Sequence, residues 1–153
     1  MKAFRAIYRV WVTILTAAVV LQIFFAGAGA FDTADKVTSG AGIVDEDSFN
    51  DSFGVHIGLG YLIFLGSLVL LLVSFGTGDR KRVFRSLGVV GLLVLQILLA
   101  WTGGAVPYFF GGLHPLNAFV ILAFLGSITY REWKAAKEVE APEAAPAPAT
   151  PSA

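Results

Sequence analysis

The chain has 153 residues, 56% of them hydrophobic and only 14% charged, with a formal net charge of zero and a mean hydropathy of +0.75. An ordinary soluble domain carries more charge and less apolar surface, and a chain with no basic surplus is not built to hold nucleic acid. With no cysteine, disulfides, thiolate metal sites, thiol redox chemistry and covalent c-type heme attachment are excluded.

Apolar runs long enough to cross a bilayer recur along the chain. Four spans are expected, at about 7–30, 55–75, 83–106 and 113–130. Each should be a helix, because a backbone in lipid must satisfy its own hydrogen bonds. The fold class is therefore all-α, a polytopic membrane four-helix bundle over residues 1–133. The first span begins with basic residues and ends in small ones before Phe31, as a signal peptide does. Its apolar stretch is long for that role, and the repeat described below makes it a retained helix. The Ala/Pro-rich segment 134–153 has no apolar periodicity and reads as a disordered cytoplasmic tail.

Ten of the eleven basic residues flank the same ends of these spans: Lys2, Arg5, Arg9, Arg80, Lys81, Arg82, Arg85, Arg131, Lys134 and Lys137. Only Lys36 falls at the opposite end. The positive-inside rule then places both termini in the cytoplasm of a cell membrane. Asp32, Asp35, Asp45, Glu46, Asp47 and Asp51 form an acidic outer loop on this reading. Trp11, Tyr130 and Trp133 would mark the inner interface, and Trp101, Tyr108 and Phe109 the outer one.

The first and third spans share a pattern. "VLQIFFAGAG" (20–29) matches "VLQILLAWTG" (94–103) at Val, Leu, Gln, Ile, Ala and Gly without a gap. The second and fourth spans open with "VHIGLGYLIF" (55–64) and "LHPLNAFVIL" (113–122), which align His56 with His114, Gly60 with Ala118 and Ile63 with Ile121. The chain reads as one helical hairpin used twice, with the copies related by a pseudo-twofold along the membrane normal.

That repeat brings the only two histidines of the chain to the heads of two spans, at similar depth, facing each other across the bundle. Ionisable groups inside a membrane face the interior or a cavity. Neutral imidazole is a good ligand for iron, and paired axial histidines hold heme. One turn deeper than each histidine stands a small residue, Gly60 or Ala118, leaving room for a flat macrocycle; Gly58 adds clearance. The expected site is a bis-histidine heme b with His56 and His114 as metal ligands. Gln22 and Gln96, the other repeated polar pair, either bond a ligand histidine or simply tie helices together. Asn117, on the His114 face, has the same two uses. Zinc is a weaker fit, with no third ligand beyond the acidic loop. The glycines in "AGAGA", "GVVG" and "WTGGA" are packing surfaces rather than a phosphate loop.

At "VLQILLAWTGG…LHPLNAFVIL" the sequence resembles one four-helix half of heme A synthase, and is similar to small bacterial and archaeal four-helix membrane proteins of unknown function. The resemblance implies a histidine near the outer end of the second and fourth helices, the places of His56 and His114, with heme held between them. It stops short of implying synthase activity. The acidic residue one turn before the second-helix histidine is replaced by Phe53, the loop cysteine pair is absent, and one half provides one heme site. The expected function is a membrane b-type heme protein in electron transfer or in heme sensing or handling. A cofactor-free scaffold or accessory subunit of a larger complex, contacting its partner through "PYFFGG" or the tail, is the alternative. A small transporter is the third, and the absence of Asp, Glu, Lys and Arg from the middle of any span argues against it.

Overall fold

The computed structural model describes residues 1–41, 45–102 and 108–140. Among these it contains four helices and no strand: α1 (Lys2–Lys36), α2 (Glu46–Gly76), α3 (Arg80–Thr102) and α4 (Tyr108–Glu140). A short π-helical turn, Val37–Ala41, follows α1. All four helices are long and apolar enough to cross a membrane. Large apolar side chains such as Phe24, Leu62, Leu72, Phe84 and Phe119 are more than half exposed on the outside of the bundle, a surface suited to lipid rather than water.

The helices pack in a ring, α1 on α2, α2 on α3, α3 on α4 and α4 on α1. This puts α1 opposite α3 and α2 opposite α4. The buried core, built from Tyr8, Val12, Leu15, Val19, Ile63, Leu70, Val89, Leu93, Ile121, Leu125 and Ile128, fills the end of the bundle that carries the basic residues. Close approach of α1 and α2 depends on glycine. A Cβ on Gly29 would lie 2.6 Å from the Ser52 carbonyl oxygen, and one on Gly66 would lie 2.9 Å from Leu15. The carbonyl oxygen of Gly66, within α2, also accepts from Trp11 Nε1 at 2.8 Å. Trp11, expected at the interface, is therefore half-buried against α2.

The helices are longer than the apolar runs that announce them. The acidic residues expected in a loop stand mostly on helix ends. Asp45 caps α2, accepting from the Ser48 N–H at 2.9 Å, and Glu46 and Asp47 occupy its first turn, where carboxylates oppose the positive end of the helix dipole. The Ser48 bond holds the Asp45 carboxyl below its usual range. Asp32 lies on the last turns of α1, paired with Lys36 at 2.9 Å, and both reach Ser52 of α2. At the other end α4 continues to Glu140, through the first residues of the expected tail. The rest of that tail, 141–153, lies outside the described residues, as do residues 103–107 and the side chains of Tyr108 and Phe109.

The basic end is tied by a buried ion pair that the sequence pattern did not point to. Glu132 is buried and accepts from Arg82 Nε at 3.1 Å and Nη2 at 2.9 Å. Arg85 approaches it at 3.7 Å, and Asp79 holds Arg82 Nη1 at 3.2 Å. The Tyr8 hydroxyl, on α1, bonds the Arg82 carbonyl oxygen at 3.4 Å and Ser86 Oγ at 3.3 Å. Three helices thus meet on one polar network. A charge pair of this kind is costly to break, because its survivor is left buried and unpaired.

Candidate functional site

Beyond that core, toward the acidic end, the bundle holds a cavity of about 840 Å³. Its boundary with the core is a layer of one side chain from each helix: Val19, Ile63, Leu93 and Ile121 line the cavity and are themselves buried. These four close it toward the basic end. The wall is largely apolar, with two carboxamides, Gln22 and Gln96, and two imidazoles, His56 and His114, set in it. A cavity of this size and character matches the usual ligand-binding space of proteins.

The two imidazoles face each other from opposite helices of the ring, their centroids 6.2 Å apart and their planes at 67°. Each is held by the same pair of contacts to the helix beside it. His56 Nδ1 lies 3.1 Å from the Gln22 carbonyl oxygen, and His114 Nδ1 lies 3.1 Å from that of Gln96. A carbonyl oxygen only accepts, so Nδ1 carries the proton in both rings. A neutral ring then keeps its lone pair on Nε2. Gln22 Nε2 stands 3.4 Å from His56 Nε2, and Gln96 Nε2 stands 3.1 Å from His114 Nε2.

Those glutamine carbonyls also accept from their own helices. They serve the histidines because α1 lies against α2 and α3 against α4 at matching heights. The shared "LQ" places each glutamine where the neighbouring histidine arrives.

The surroundings of the two pairs differ. Asn117 Nδ2 donates to Gln96 Oε1 at 2.8 Å and to the Leu92 carbonyl oxygen at 3.0 Å, so the Gln96 carboxamide is held at its oxygen by Asn117 and at its nitrogen by His114. The position equivalent to Asn117 in α2 is Leu59, and Gln22 Oε1 is buried with no donor among the described residues. Gln22 Nε2 instead bonds the His56 backbone oxygen at 2.8 Å. Gly60 makes that possible, since a Cβ there would lie 3.0 Å from Gln22 Nε2.

Seven of the eight residues expected at the site are brought together. His56, His114, Gln22, Gln96, Gly60 and Ala118 line the cavity, and Asn117 supports it through Gln96. Gly58 is the exception. It is exposed, and a Cβ added to it would meet nothing within 4 Å, because two residues along a helix is just over half a turn and faces outward. The depth also differs from expectation. α4 begins at Tyr108, so His114 and Pro115 stand inside the helix and not in its first turn. His56 is likewise well inside α2.

Phe49, Phe53 and Trp101 join the wall without having been expected there. Phe53 meets the His56 ring edge-on at 6.1 Å and stacks on Phe49 at 4.7 Å. Their positions three and seven residues before His56 put them on its face of a helix, a signal that becomes readable only once α2 is known to start at Glu46.

Among the described residues no three side chains of His, Asp, Glu or Cys type come close enough to hold one ion. The donor set is the two imidazoles. No family model matches the chain, and neither a curated protein nor a solved structure matches it, so none of the comparisons links it to heme A synthase or to another named family.

Proposed function

We propose that this chain is a membrane b-type heme protein, built by duplication of a helical hairpin. On this reading both termini lie in the cytoplasm and the cavity opens toward the outer face of the cell membrane. The observation that carries it is the facing pair of imidazoles, each with Nδ1 spent on a backbone carbonyl. Metal-ligating histidines are oriented in this way, with the second nitrogen tied and the first left as ligand.

The residues fit the group. Two imidazoles that bond one metal at roughly 2 Å, each with a ring half-width of about 1 Å, have centroids no more than about 6 Å apart; the observed 6.2 Å is compatible with that spacing. Gly60 and Ala118 keep the wall thin beside the histidines, and the apolar lining excludes water from a macrocycle. His56 and His114 would hold its iron. Bound heme would supply a reversible one-electron couple. The four-residue layer below it favours exchange of electrons, or of heme itself, at the outer face.

A second reading, a cofactor-free scaffold or accessory subunit, has one observation in its favour. Gln96, pinned by Asn117, directs its amide at the lone pair of His114 Nε2, which satisfies that nitrogen without a metal. Absorption spectroscopy separates the two. Protein purified from cells supplied with heme should show a Soret band and a reduced-state α band, and His56→Ala and His114→Ala should each abolish or shift them. A stable, colourless wild-type protein under those conditions defeats the heme reading and leaves the scaffold.

A further inference from the structure

We propose that the basic end of α4, together with Arg9 of α1, binds the headgroup of an anionic phospholipid. This rests on the membrane-spanning part of the reading above and not on its cofactor.

Arg9 is the starting point. Its guanidinium lies over the Trp133 ring, 4.6 Å from the centroid, and its Nε is buried without a hydrogen-bond partner among the described residues. Among the described residues no carboxylate pairs with it. The Trp133 ring is held in place by its own Nε1, which donates to Thr13 Oγ1 at 2.9 Å. Thr13 in turn donates to the Arg9 carbonyl oxygen at 2.8 Å. Trp133 also lines a hollow of about 480 Å³ with Tyr130, Lys134, Lys137 and Glu138.

The spacing 130, 133, 134, 137 and 138 is one face of a helix. It runs from an exposed tyrosine and tryptophan to two exposed lysines, over about 10 Å of helix rise. That order is the order of a bilayer boundary, with amphipathic rings at the headgroup level and ammonium groups beyond it. Glu132, next to Trp133 in the chain, is buried and committed to Arg82 and Arg85, so it does not neutralise this face. Among the described residues Glu138 is the only carboxylate lining the hollow, set against Lys134, Lys137 and Arg9 beside it. Charge complementarity therefore selects a phosphate, and the aromatic pair selects one that comes with acyl chains. A lipid phosphate also gives Arg9 what the fold does not, an anionic partner in a partly dry place.

Native mass spectrometry of the full-length protein in detergent, titrated with phosphatidylglycerol or phosphatidylcholine, tests this. The wild type should retain phosphatidylglycerol about tenfold or more in preference to phosphatidylcholine, as expected for a few basic residues acting together at a membrane surface. Arg9→Ala/Lys134→Ala/Lys137→Ala should lose the preference. Lys2→Ala/Arg80→Ala/Lys81→Ala, which removes the same charge elsewhere at this end, should keep it. If both triple variants lose it equally, the effect is net charge and the site does not exist. Inorganic phosphate should fail to compete, and full competition would show a free-anion site instead. Lys134→Ala/Lys137→Ala, confined to exposed positions, serves if the Arg9 variant does not fold; an unchanged preference in that variant overturns the proposal.

Discussion

Gln22 and His56 meet as Gln96 and His114 do, with the same ring nitrogen on the same backbone carbonyl at the same 3.1 Å. Yet one pair is finished and the other is not. Around Gln96 both polar atoms of the carboxamide have a partner, the oxygen in Asn117 and the nitrogen in His114. Around Gln22 the oxygen has none, because Leu59 stands where Asn117 would be. The contrast separates two jobs that the repeated residues could share. The Nδ1–carbonyl bond, common to both, orients an imidazole. The Asn117 bonds, present once, lock a helix pair. A buried acceptor without a donor is tolerated at Gln22, and Gly60 gives its carboxamide room to settle on a backbone oxygen.

Replacing each glutamine should show the difference most strongly. Gln96→Leu strips partners from both Asn117 and His114 and should destabilise the protein by about 1–2 kcal/mol, the upper range for interhelical polar contacts in membranes. Gln22→Leu removes an oxygen that already lacks a partner and should cost about half as much or less. Thermal unfolding of the two variants in the same detergent checks this, and equal losses would erase the contrast. Leu59→Asn supplies the missing donor. It should raise stability by about 0.5 kcal/mol, and the gain should vanish in a Gln22→Leu background. Gly60→Ala should have the smallest effect on stability, a few tenths of a kcal/mol, since its Cβ meets only the end of a flexible side chain. Its signature is amide hydrogen exchange or vibrational spectroscopy reporting Gln22 shifted off the His56 carbonyl, toward the arrangement at Gln96. An unchanged Gln22 would mean that Gly60 does not set the difference.

The four helices were readable because lipid-crossing length and apolar composition are local properties of each run. So was the pairing of His56 with His114 and of Gln22 with Gln96, since polar residues in apolar helices are few and their repeat is visible. The helix ends were less so. Asp45, Glu46 and Asp47 look like a solvated loop until the cap bond from Ser48 and the Lys36–Asp32 pair are seen to extend α2 and α1 beyond the apolar runs. Gly58 was misplaced for a related reason. Its neighbours on the cavity wall follow helical spacing, and it does not.

The sequence by itself determined an all-helical chain with four apolar spans, a basic end and an acidic end, and one polar pair on each hairpin. These follow from composition and period, which act residue by residue. Only the tertiary structure decided that α2 and α4 stand opposite each other, that their imidazoles come to 6.2 Å, that Nδ1 of each is bound to a backbone carbonyl, and that Asn117 completes one half while Leu59 leaves the other open. It alone joined Glu132 to Arg82 across 50 residues and Arg9 to Trp133 across the α1–α4 contact. Such contacts depend on the order of helices around the ring and on their relative height. Both are set by side-chain packing and glycine contacts between elements, and no local run of residues encodes either one.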